Sequence, residues 1–129
     1  FLIEDYVVFR LTGKAQIDYS LASRTMAFDI HTLDWSSQVL EAAGIEKELF
    51  SVCVPAGSMA GTVLPAAAVK TGLPKQTQIV SVSHDQVAAA VGAGAFDGSA
   101  AVDGAGTVQC LTPIYDEMPD IDQMYEGCF

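Results

Sequence analysis

The stretch Ser81-Val-Ser-His-Asp-Gln-Val-Ala-Ala-Ala-Val-Gly-Ala-Gly94 joins two patterns. The run Gln78-Ile-Val-Ser-Val82, rich in β-branched residues, reads as a strand over 78–83. The polar triplet His84-Asp85-Gln86 stops it. An alanine-rich helical segment then extends from Asp85 to Val91, closed by Gly92 and Gly94. Asp85 therefore stands at a strand-to-helix turn. The unpaired N–H groups and positive dipole end of a helix favour negative charge at such a position. A carboxylate there can cap the helix, and it is also placed to accept a proton. The residues alone leave both roles open, and the two are compatible.

The flanking segments repeat the alternation of helix and strand. Leu2 to Leu11 carries apolar residues at helical spacing and ends at Gly13. Asp18 to Arg24 is small and polar and reads as a loop opening a short helix. Met26 to Ile30 reads as extended. Ser36-Ser37 starts a helix through Ala43 that Gly44 closes, and Glu46 to Phe50 reads as one more helical turn. Ser51 to Thr62, with Pro55, Gly57 and Gly61, reads as loop plus a short strand. Pro65 opens a short helix that ends at Gly72. Ser99 to Asp103 and Thr107 to Thr112 read as two β-runs joined by Gly104-Ala-Gly106, and no assignment follows Pro113. The pattern predicts a mixed α/β fold, a sheet with packed helices.

With 129 residues, half of them apolar, the chain can build a core. Its formal charge is −10, from 16 acidic and 6 basic residues. That argues against nucleic acid and anionic membranes, both of which require clustered Lys and Arg. It does not exclude ATP, whose charge backbone amides and a magnesium ion neutralise locally. No apolar run is long enough to span a bilayer. The acidic stretch from Asp116 to Glu126 reads as a solvated loop. Cys53, Cys110 and Cys128 are widely spaced and odd in number, which argues against a disulfide framework or a zinc site. Reduced, buried thiols in a cytoplasmic protein are expected.

Two further clusters are polar. Asp103-Gly-Ala-Gly-Thr107 follows a β-run, and its glycines suit either a hairpin turn or a close approach of backbone N–H groups to phosphate. Asp18, Ser20, Ser23, Arg24 and Thr25 are dense enough to hydrogen-bond one another in a loop that supports a site. Nothing in their spacing marks them as ligands. His31 and Trp35 read as structural, and the Met, Tyr and Phe residues as core.

Taken in order, several segments resemble the FGGY carbohydrate kinases. These are Asp5-Tyr-Val-Val-Phe-Arg-Leu-Thr-Gly13, Asp18-Tyr-Ser-Leu-Ala-Ser-Arg-Thr-Met26, Phe28-Asp-Ile-His-Thr-Leu-Asp-Trp-Ser36, Gly57-Ser-Met-Ala-Gly-Thr62, the His84-Asp85-Gln86 stretch and Ala105-Gly-Thr107. The resemblance implies a ribonuclease-H-like, actin-like ATPase fold, with residues 1–129 as the latter part of the first kinase domain. The upstream phosphate loop, the magnesium ligand and the second, adenine-clamping domain would lie outside it. It implies ATP-dependent phosphorylation of a sugar or polyol. A pentulose such as xylulose comes first; glycerol and gluconate are alternatives, and a noncatalytic actin-like domain is the reading from another class. By the same resemblance Asp85 is the catalytic carboxylate, His84 and Gln86 face the sugar, and Gly106 and Thr107 contact ATP phosphate. One departure is the Gly-Ala-Gly-Thr of residues 104–107, where many members have Ser-Leu-Gly-Thr. No metal ligand is assigned here, homodimerisation stays open, and the piece alone is expected to be inactive.

Overall fold

The computed structural model describes residues 1–127. The chain divides into two compact units, with the boundary between His84 and Asp85.

In the first unit, α1 (Ile3–Thr12) matches the apolar spacing of its sequence. It ends at Gly13, whose φ of +79° only glycine adopts without strain. The Gly13 N–H closes on Phe9 O at 2.7 Å. β1 (Gln16–Asp18) follows and pairs in parallel with β4 (Val52–Val54), Ile17 opposite Cys53. All three β1 residues are buried. A short strand buried on both faces shows no alternation, so its sequence carries no strand signal.

Asp18 caps α2 (Tyr19–Ala22), and a 3₁₀ turn over Ser23–Thr25 follows. Met26 then takes a left-handed conformation, φ +61°. The extended segment expected from Met26 therefore begins only at β2 (Phe28–Asp29), which pairs antiparallel with β3 (Asp34–Trp35). Ser36 caps α3 (Ser37–Ala43), and Gly44 closes it as expected. A 3₁₀ turn over Lys47–Leu49 precedes β4. The loop-and-strand segment resolves into two strands, β4 and β5 (Ser58–Thr62). β5 pairs antiparallel with β6 (Gln78–Ser81), with a register shift between Met59 and Gly61. Between them α4 (Pro65–Thr71) starts on proline, whose missing N–H costs nothing at a helix start.

Ile17, Ala22, Ala27, Trp35 and Leu40 form the core of this unit, with Phe28 and Phe50 packed against it. The Trp35 and Phe50 rings lie 4.6 Å apart, and Trp35 Nε1 donates to Ser51 O at 2.8 Å. The expectation that Met, Tyr and Phe residues are core holds for only a few. Phe1, Tyr6, Phe9, Met26 and Met59 are exposed. α1 explains two of them: it buries only Asp5 and Val8, which leaves Tyr6 and Phe9 exposed.

The second unit opens with α5 (Asp85–Gly92), which packs on the hairpin of β7 (Ala101–Ala105) and β8 (Gln109–Pro113). The register runs from Ala101 opposite Pro113 to Ala105 opposite Gln109. Gly104 thus lies inside a strand, opposite Cys110, and the turn falls on Gly106-Thr107-Val108. The turn expected on 104–106 is displaced, because strand and turn use glycine alike. α6 (Ile121–Glu126) occupies part of the acidic segment expected to be loop. Cys53 and Cys110 are free and half-buried rather than buried. Cys128 lies outside the described residues.

Candidate functional site

β6 ends at Ser81, and the residues from Val82 to His84 continue beyond its ladder. Side chains from elsewhere in the first unit take over. Gln16 Nε2 donates to Ser81 Oγ at 2.9 Å and to Ser58 O at 3.2 Å. The Val82 N–H donates to Glu4 Oε1 at 3.0 Å. The His84 N–H donates to Ser20 Oγ at 2.8 Å. Ser20 in turn donates its hydroxyl to Asp18 Oδ2 at 2.6 Å. Asp18 is 1% exposed and also accepts the backbone N–H groups of Ser20 at 2.7 Å and Leu21 at 3.2 Å.

Asp85 follows His84 directly, heads α5 and is exposed. Its Oδ1 accepts the N–H of Gln86 at 2.8 Å. Its carboxylate thus holds the adjoining N–H at the head of α5 from an exposed position. Gln86 lies against the hairpin of its own unit: a Cβ built on Gly104 would stand 2.7 Å from Gln86 Oε1. Gly104 is therefore the close-approach position, a Cβ there displacing the Gln86 amide. Gly106 and Thr107 sit exposed at the hairpin turn. The Gly106 N–H donates to Val108 O at 3.3 Å. The structure thus gathers Gln86 and the glycine hairpin in one unit and puts His84 at the end of the other.

Two carboxylates carry buried oxygens without a hydrogen-bond partner, Glu4 Oε2 and Asp5 Oδ1. The other Asp5 oxygen accepts the Ser51 hydroxyl at 2.5 Å. Burial raises the pKa of the Glu4 carboxyl and neighbouring Asp18 adds to the rise, while the N–H groups of Val82 and Asp18 pull the other way. Sequence reasoning missed Glu4 altogether. It reads as an ordinary acidic residue in a helix's first turn, and its partner lies 78 positions away.

Among the described residues no group of three or more His, Cys, Asp or Glu side chains could hold a metal ion. Among the described residues no helix is long and apolar enough to cross a membrane. A hollow of about 580 Å³ opens beside Asp34, Trp35, Lys47 and Cys53 and includes none of the expected site residues.

The N-terminal domain model of the FGGY family of carbohydrate kinases matches residues 1–92. The chain belongs to this family. It is 38% identical to the L-fuculokinase of Salmonella typhi over 96 residues, which cover 74% of this chain and 20% of that protein. It is 34% identical to the xylulose kinase of Bacillus subtilis (strain 168) over 93 residues, 72% of this chain and 19% of that protein. Among solved structures, the ligand-bound xylulose kinase from Lactobacillus acidophilus matches with a TM-score of 0.78 and 26% identity. That match covers 84% of this chain and 22% of the other. The chain spans about a fifth of the length of the FGGY kinases it matches. The actin-like, ribonuclease-H-like α/β fold implied by the resemblance is the one found. The FGGY match ends at Gly92, so Asp85 and Gln86 lie inside it and the Gly106-Thr107 turn lies beyond it.

Proposed function

We propose that this chain supplies the catalytic carboxylate of an ATP-dependent sugar kinase, and that Asp85 is that carboxylate. The observation that carries the reading is the place of Asp85. It is the exposed first residue of α5, directly after a segment tied by side chains, within the FGGY match. Phosphoryl transfer needs an oriented nucleophile and stabilised phosphate charge. Asp85 accepts the proton of the sugar hydroxyl as its oxygen bonds to the γ-phosphorus. The bond from that phosphorus to the bridging oxygen breaks, and ADP leaves. His84 and Gln86, on either side of Asp85, orient the sugar. Gly106 and Thr107 bring a small backbone turn and a hydroxyl to the ATP phosphates. Magnesium would accompany ATP and neutralise charge on its phosphates.

The substrate in this reading is a pentulose, xylulose first. The 38% identity to an L-fuculokinase favours a second reading, in which the sugar is L-fuculose. Turnover assays of the full-length protein with xylulose, fuculose, glycerol and gluconate separate them by kcat/KM. The role of Asp85 is tested with Asp85→Asn in the same protein. Loss of general-base action lowers kcat by about 10²–10⁴, with ATP affinity retained. Near-normal turnover would remove Asp85 from the mechanism.

A further inference from the structure

We infer that Ser20, locked by Asp18, is a positioning residue for phosphoryl transfer, acting through the backbone of His84 on the adjoining Asp85. The inference rests on the reading of Asp85 as the catalytic carboxylate. It starts from a backbone group that needs a partner. β6 stops at Ser81, so the His84 N–H lies beyond the ladder that serves the strand. Ser20 Oγ accepts it at 2.8 Å from 64 positions away. A serine hydroxyl has one proton and two lone pairs, and it rotates to suit its neighbours. Here it cannot rotate freely. The Ser20 hydroxyl donates to Asp18 Oδ2 at 2.6 Å, so a lone pair is left for the His84 N–H.

Asp18 is itself fixed. It is 1% exposed, and two backbone N–H groups at the start of α2 hold it in place. The chain Asp18, Ser20, His84 therefore sets the position of the last residue before Asp85 from a buried anchor. A carboxylate that accepts a proton in the transition state must lie within hydrogen-bond reach of it. Displacement by about 1 Å costs on the order of 10²-fold in rate. A structural role for the same bonds would be to cap α2. The two roles separate at Ser20, because Ser20→Ala removes only the hydroxyl. Asp18 keeps both backbone N–H groups and α2 keeps its cap.

The test uses the full-length protein with Ser20→Ala, Ser20→Thr, Asp85→Asn and the double variant Ser20→Ala with Asp85→Asn. Ser20→Ala should lower kcat about 10- to 100-fold, leave the KM for ATP unchanged and speed amide hydrogen exchange at His84. Ser20→Thr should restore both kcat and the slow exchange. In the Asp85→Asn background Ser20→Ala should cost little more, because residues acting as one unit are not additive. If Asp85→Asn is nearly inactive and Ser20→Ala keeps normal kcat, Ser20 is no positioning residue and the Asp85 reading stands. Normal turnover of Asp85→Asn defeats the Asp85 reading, and a Ser20→Ala loss beside it would mean that Ser20 acts elsewhere. A fall in kcat that only tracks a lowered Tm, with His84 exchange unchanged, assigns Ser20 to folding and overturns the inference.

Discussion

Glu4 Oε1 accepts the N–H of Val82 at 3.0 Å, while Glu4 Oε2 is buried without a hydrogen-bond partner. The same carboxyl thus holds the segment ahead of Asp85 and bears a cost for doing so. Burial raises its pKa from 4.5, and Asp18 adds to the rise. The native state then holds the proton more tightly than the unfolded chain. Stability from this group is greatest at low pH and falls as pH rises from about 4.5 through the raised native value. Glu4→Gln removes the titration and keeps an acceptor for Val82. The urea midpoint of the variant, relative to the parent, should climb across that window and then level off. A difference between the two proteins that stays flat from pH 4 to 7 would contradict this.

Trp35 carries the core of the first unit through a polar contact as well as an apolar one. Its Nε1 donates to Ser51 O, and Ser51 is a buried residue. Trp35→Phe keeps an aromatic ring against Phe50 but strands that carbonyl. Leaving a buried acceptor unpaired costs about 1–3 kcal/mol, and the smaller ring adds part of a cavity cost. Circular dichroism is the suitable probe of denaturation, since Trp35 is the only tryptophan. An unchanged midpoint would show that the carbonyl finds another partner.

These two residues also show what the sequence makes legible. Helices were readable where punctuation is strong: Gly13, Gly44, Pro65 and Gly72 end or start elements where expected. The strand-to-helix turn at Asp85 was readable for the same reason. β1 was not, because three buried residues of a parallel strand show no alternation. The β2–β3 hairpin was not, because two-residue strands lie below any periodic signal. The polar cluster at Asp18 was legible as residues that hydrogen-bond one another, but its partner at His84 was not. The bonds from Glu4 to Val82 and from Ser20 to His84 join positions far apart in sequence, which no local pattern encodes.

Cys53 lines the hollow beside Trp35, yet it should react poorly with thiol reagents. Burial pushes its pKa up to about 11, and Asp34 adds to the rise while Lys47 opposes it. The thiolate is the reactive form, so at pH 8 only a small fraction is available. Modification by an uncharged alkylating reagent, followed by peptide mass spectrometry, should be slow at Cys53 near pH 8 and speed up steeply toward pH 11. Asp34→Asn should shift that rise to lower pH, and Lys47→Ala to higher pH. Rapid alkylation at pH 8 would show that the thiol is not desolvated.

Gly104 and Gly106 separate the two binding roles proposed for the second unit. A Cβ on Gly104 would meet Gln86 Oε1 at 2.7 Å, the far end of a flexible side chain. Gly104→Ala should therefore fold and push the Gln86 amide aside, raising the KM for sugar with little effect on ATP. A Cβ on Gly106 meets nothing nearer than Val108 O at 3.7 Å, and Gly106 is not among the positive-φ glycines. Gly106→Ala should fold without strain and place a methyl group where phosphate would approach, raising the KM for ATP and leaving sugar affinity intact. Steady-state kinetics in both substrates, with melting temperatures alongside, gives a crossed pattern if both assignments hold. Should Gly106→Ala keep the parent KM for ATP, the turn is a hairpin without a phosphate role. Should Gly104→Ala keep the parent KM for sugar, Gln86 does not orient the substrate.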